Sequence, residues 1–114
     1  MPYLKIQTNV PLDAMTGRKL IGAASQLLAD RLGKPERYVM VALVPVTQML
    51  FAGEDAPLAY LEVKSIGLPR KLTGELSKSL CGLLHDILGV APARIYIEFA
   101  DVEPDMWGWN GATF

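Results

Sequence analysis

The chain has 114 residues, 51% of them apolar and 20% charged, with a formal net charge of -1. That length fits one domain able to bury roughly two-thirds of its unfolded surface. Near-neutral charge without Lys/Arg clusters argues against a nucleic-acid partner. One cysteine, Cys81, excludes an intrachain disulfide, and with a single histidine it cannot build a zinc site of the usual kind. These features fit a metal-free cytoplasmic protein. The N-terminus lacks a basic segment followed by an apolar core, and no apolar run approaches a membrane span, so neither routine export nor a membrane partner is expected.

Residues 2–8 alternate as a strand with Leu4 and Ile6 on one face, and Asn9-Val10-Pro11 ends it. Asp13 or Thr16 caps a helix running to about Leu32, where Gly33 stops it; Leu20, Ala24, Leu27, Leu28 and Leu32 form its apolar stripe. Tyr38–Val44, nearly all apolar and rich in β-branched residues, reads as a strand covered on both faces. Gln48–Phe51 reads as a short edge strand before a turn at Gly53–Pro57.

Leu58–Ile66 is the next strand, and Gly67 and Pro69 mark its exit. A second helix spans roughly Thr73–Leu88, with Leu76, Leu80, Leu83, Leu84, Ile87 and Leu88 on its buried side and Gly89 as its cap. Cys81 borders that stripe and reads as structural, and His85 as a surface or helix-end residue. Arg94–Ala100 is a final strand, followed by a polar turn and the aromatic tail Met106–Phe114.

The halves repeat. Leu32-Gly-Lys-Pro-Glu-Arg37 before one strand corresponds, with one extra residue, to Leu88-Gly-Val-Ala-Pro-Ala-Arg94 before another. Each half is strand, helix, strand, and right-handed crossovers make each strand pair parallel. The fold class expected is α+β: two β-α-β repeats forming a four-stranded mixed sheet, with two antiparallel helices on one face and all of 1–114 in one domain. In so apolar a chain the other face should be apolar and bare, so burial against further subunits is expected.

Pro2 stands apart chemically. With Met1 removed it carries a free secondary amine on a rigid ring; with Met1 present the nitrogen is an amide and cannot act as a base. A free α-amino group has a reference pKa of about 7.7, and an apolar pocket or a nearby cation favours its neutral form. The plainer reading also stands, since proline is tolerated as the first residue of a strand.

Pro2, Thr8-Asn9-Val10-Pro11, Gly33-Lys34-Pro35, Ser65-Ile66-Gly67, Leu80-Cys81-Gly82-Leu83-Leu84, Arg94-Ile95-Tyr96-Ile97 and Gly108-Trp109-Asn110 to Thr113-Phe114 together resemble the macrophage migration inhibitory factor and D-dopachrome tautomerase family, along essentially the whole chain. The resemblance implies a homotrimer with an active site at each subunit boundary. It also implies cofactor-independent keto-enol tautomerisation of phenylpyruvate-like or dopachrome-like small molecules, with Pro2 as the catalytic base.

By the same resemblance Lys34 pairs with the substrate carboxylate, although a lysine meeting a helix C-terminal dipole is the reading from sequence alone. Ile66 donates its backbone N–H to substrate, with Ser65 beside it either in the site or only in a turn. Tyr96 enters the neighbouring subunit's pocket, or is an ordinary strand aromatic. Tyr38, Trp109 and Phe114 match pocket or rim aromatics for which packing is the alternative.

Departures from the pattern accompany these matches. Glu98 stands where a family member has asparagine, and a carboxylate there should repel anionic substrates and raise the Pro2 pKa, weakening turnover. The family's Cys-x-x-Cys pair is replaced by Leu58 and Leu61, so dithiol redox activity is not expected. The competing functional class is a cytokine-like interaction protein with a vestigial pocket. The family resemblance leaves non-classical secretion open.

Overall fold

A computed structural model describes residues 1–114. Its strands and helices are β1 (Tyr3–Thr8), α1 (Ala14–Leu32), β2 (Met40–Pro45), β3 (Ala59–Ile66), α2 (Thr73–Leu88), β4 (Ile95–Val102) and a terminal hairpin of β5 (Gly108–Trp109) and β6 (Ala112–Thr113). The main sheet has the order β2-β1-β3-β4. β1 runs parallel to β2 and antiparallel to β3, and β3 runs parallel to β4, as two β-α-β units side by side require.

Both helices cover one face. Leu4 and Ile6 of β1 and Leu61 and Val63 of β3 meet Leu20, Ala24 and Leu28 of α1 and Leu76, Leu80 and Leu84 of α2 in one core. Gly17 lets α1 come close to β2, since a Cβ there would stand 3.3 Å from Leu43 Cδ2. Asp13 is the N-cap, accepting from the Thr16 N–H at 2.7 Å. At the other end Gly33 adopts φ 62°, and the Lys34 N–H returns to the Ala29 carbonyl at 3.0 Å, so the chain leaves α1 in a fixed direction.

The uncovered face differs from expectation. Registered across the strands, it carries Met40-Tyr3-Lys64-Ala100, then Ala42-Lys5-Glu62-Glu98, then Val44-Gln7-Tyr60-Tyr96. Its centre is polar and bonded. Glu62 lies 3.5 Å from Lys5 Nζ and 3.9 Å from Lys64 Nζ, and accepts from the Tyr60 hydroxyl at 3.2 Å. Desolvation first, then the bond to Glu62 and the charges of Glu62 and Glu98, raise the Tyr60 pKa.

The apolar content that suggested a bare greasy face lies under the helices and at the sheet margins instead. Met40 on β2, Leu50 in the connecting loop and Tyr96 on β4 are exposed there, while Met15 at the start of α1 and Met106, Trp109 and Phe114 near the C-terminus are exposed elsewhere. β2 itself is an edge strand, half-buried rather than covered on both faces.

The expected strand Gln48–Phe51 does not form. Phe51 and Glu54 exchange backbone hydrogen bonds at 3.0 and 3.1 Å around Ala52 (φ 55°) and Gly53 (φ 74°), which is a tight two-residue turn. Ladder bonds are replaced by a side chain. The Arg94 guanidinium donates to the carbonyls of Phe51, Glu54, Ala56 and Pro57 at 3.0 to 3.3 Å. Asn9 fastens the same loop to β1, donating to the Asp55 carbonyl at 2.8 Å and accepting from the Leu58 N–H at 3.0 Å.

Candidate active site

Pro2 is fully buried at the head of β1, where its carbonyl accepts from the Met40 N–H at 3.0 Å. Beside it opens a cavity of about 310 Å³, lined by residues 1–3, 37–40 and 107–109. β1, the entry to β2 and the start of the terminal hairpin each supply one wall. The lining is mostly apolar, and its only charged side chain is Arg37.

The antiparallel register of β1 with β3 carries Pro2 to the level of Ser65 and Ile66. Lys34, placed by the turn that closes α1, reaches this end of β3 and donates from Nζ to the Ile66 carbonyl at 3.5 Å. Its charge is felt at the chain start. The Met1 ammonium pKa is lowered from its ordinary value, first by burial and then by Lys34. That amine is one residue upstream of the Pro2 nitrogen and stands in for the amine that Pro2 would present after methionine removal.

Ser65 lies on the core side of β3, fully buried, with its hydroxyl donating to the Ile66 carbonyl at 3.4 Å. It steadies Ile66 and does not line the cavity. Tyr38, Trp109 and Phe114 form one aromatic group. The Tyr38 ring meets Trp109 edge-on at 5.9 Å, and Trp109 stacks on Phe114 at 5.6 Å with 17° between planes. Tyr38 and Trp109 line the cavity, whereas Phe114 stands behind Trp109.

Tyr96 and Glu98 are not brought to this cavity within one chain. They sit on the open face of β4, two strands from β1, and Tyr96 is at the level of Gln7, toward the opposite end of the sheet from Pro2. There the Tyr96 ring lies 4.8 Å from that of Phe51. Glu98 has no ion-pair partner in the chain, and Lys34 is the only charge acting on the Met1 amine.

Sequence reasoning missed several lining residues, Tyr3, Arg37, Val39, Met40, Trp107 and Gly108. Arg37 stands over the Tyr38 ring at 4.8 Å, and Met40 and Trp107 complete the wall. The hairpin behind Trp109 turns on Asn110 (φ 52°) and Gly111 (φ 76°), an Asn-Gly signal present in the sequence but read only as a tail. No group of three or more His, Cys, Asp and Glu side chains comes together to hold a metal ion. Burial raises the Cys81 pKa, with an opposing effect from the Ser77 hydroxyl, and this holds the group as a thiol. No helix is long and apolar enough to cross a membrane.

The family model described as macrophage migration inhibitory factor matches residues 1–114. Among curated proteins, macrophage migration inhibitory factor of Meriones unguiculatus is 41% identical over 118 residues, covering 100% of this chain and 99% of its own. The homolog from Brugia malayi is 37% identical over 115 residues at the same coverage. Among solved structures, the macrophage migration inhibitory factor homologue from Prochlorococcus marinus aligns with a TM-score of 0.92 at 45% identity, covering 98% of both chains. The protein from Toxoplasma gondii aligns at 0.93 with 32% identity, covering 98% of this chain and 99% of its own.

Proposed function

The chain belongs to the macrophage migration inhibitory factor family, and through it to the tautomerase superfamily; from that premise we propose that it is a cofactor-independent keto-enol tautomerase of phenylpyruvate-like acids. One observation carries the reading. A buried chain start opens into a largely apolar cavity, and burial and Lys34 together lower the pKa of the amine there. Enolisation needs a neutral base, and burial beside a cation shifts an amine toward its neutral form.

With Met1 removed, the Pro2 nitrogen takes the proton from the enol oxygen and returns it to the adjacent carbon, which becomes the carbon next to the keto group. The Lys34 ammonium holds the substrate carboxylate, and the Ile66 backbone N–H and the aromatic wall of Tyr38 and Trp109 orient the rest. Phe114 braces that wall, and Ser65 acts only through Ile66. Dopachrome-like compounds fit the same chemistry.

The functional unit in this reading is a homotrimer. Exposed Met40 on one edge strand and Tyr96 on the other suit a head-to-tail contact that closes into a ring. That arrangement supplies Tyr96 and Glu98 from one subunit to the cavity of the next.

Intact mass and phenylpyruvate turnover measured on one preparation test the proposal. A mass lacking one methionine with activity that Pro2→Gly abolishes is the expected result. A processed protein that turns over no keto acid would overturn it and shift the weight to an interaction role.

A further inference from the structure

Arg37 and Arg94 occupy corresponding places in the two repeats, but only Arg94 uses its N–H groups on the protein. Arg37 makes no ion pair and no side-chain hydrogen bond within the chain, and no acidic side chain of its own chain lines the cavity it faces. It is exposed, yet its position is restricted. The guanidinium lies 4.8 Å from the centroid of Tyr38, a ring itself held edge-on by Trp109. A guanidinium set over an aromatic face keeps its planar fork of donors for an oxyanion and loses little freedom on binding one.

The cavity is thus served by two cations. Lys34 stands behind the lining at the Ile66 end of β3, near enough to act on the Met1 amine, and Arg37 lies on the wall that carries Tyr38. A substrate with one carboxylate satisfies only the first.

We propose that Arg37 is a specificity-determining residue that selects keto acids bearing a second anionic group remote from the keto-acid end, such as an aryl keto acid with a ring carboxylate. The inference rests on the tautomerase reading for the reaction, though not for the recognition of the second anion. The bond formed is a charge-assisted, bidentate contact of the kind Arg makes with carboxylates.

The test uses Met1-free protein, its Arg37→Gln and Arg37→Lys variants, and two substrates, phenylpyruvate and 4-carboxyphenylpyruvate. Arg37→Gln should lower the ratio of kcat/KM for the dianion over the monoanion about tenfold, through KM, with partial recovery in Arg37→Lys. An equal loss on both substrates would overturn the proposal. Quenching of tryptophan fluorescence by 1,4-phenylenediacetate and by phenylacetate gives a second reading that needs no turnover. Tighter binding of the dianion that disappears in Arg37→Gln upholds Arg37 even if neither keto acid reacts, in which case the tautomerase reading alone fails. Equal binding of the two acids by the parent protein overturns the role of Arg37.

Discussion

The two repeats end their helices alike and then use the same arginine differently. In the first, Gly33 leads through a 3₁₀ turn at Glu36–Tyr38 into β2; in the second, Gly89 leads through one at Pro92–Arg94 into β4. Arg94 spends its donors on four carbonyls of residues 51–57 and stands 5.3 Å from the Phe51 centroid, so it is part of the framework. Arg37 leaves its donors free beside a cavity. A duplicated unit therefore needs only one copy of a turn for structure, which releases the other for chemistry.

The sharpest way to separate the halves is at Pro2. In Met1-free protein, Pro2→Gly should cut kcat for phenylpyruvate by about 10² to 10⁴, the usual span for a general base. Circular dichroism should show an unchanged fold. Next in size, Arg94→Ala should destabilise the protein by about 2 kcal/mol in urea unfolding, because several carbonyls lose a charged donor at once. Arg37→Ala should stay within about 0.5 kcal/mol of the parent. Equal losses at the two arginines would erase the distinction between them.

Lys34→Ala sharpens the comparison through pH. A cation near an amine lowers its pKa, so the neutral base becomes available at lower pH. The rising limb of kcat/KM in the parent should therefore lie below that of an ordinary α-amine. Removing Lys34 should move that limb up and raise KM for phenylpyruvate about tenfold. The smallest expected change is a gain. Glu98→Asn should raise phenylpyruvate turnover about two- to fivefold, because in the proposed ring it removes a negative charge from beside the anionic substrate. No gain would place Glu98 away from the neighbouring cavity.

Local signals carried most of the fold. Both helices, with Asp13 and the terminal glycines, follow from 3.6-residue periodicity and caps, and the main strands follow from alternation or, in β2, from a β-branched apolar run. The polar open face was equally legible in Tyr3-Lys5-Gln7 and Tyr60-Glu62-Lys64, but overall apolar content outweighed it. Gln48–Phe51 failed because alternation cannot tell a strand from a loop whose carbonyls are taken by a distant arginine. Pro2 stood out through its chemistry, and Lys34 only through the family resemblance. Arg37 did not, since nothing local distinguishes an arginine that binds backbone from one left free. That difference depends on which loop the fold delivers to it.

The cavity beside Pro2 joins residues 1–3 to residues 107–109, so its last wall is translated about a hundred residues after its first. During synthesis the start of the chain is bare to an aminopeptidase, whereas in the folded protein Pro2 is fully buried. In the proposed enzyme, a copy that keeps Met1 keeps an amide at the Pro2 nitrogen, so the untrimmed fraction of the protein is the inactive fraction.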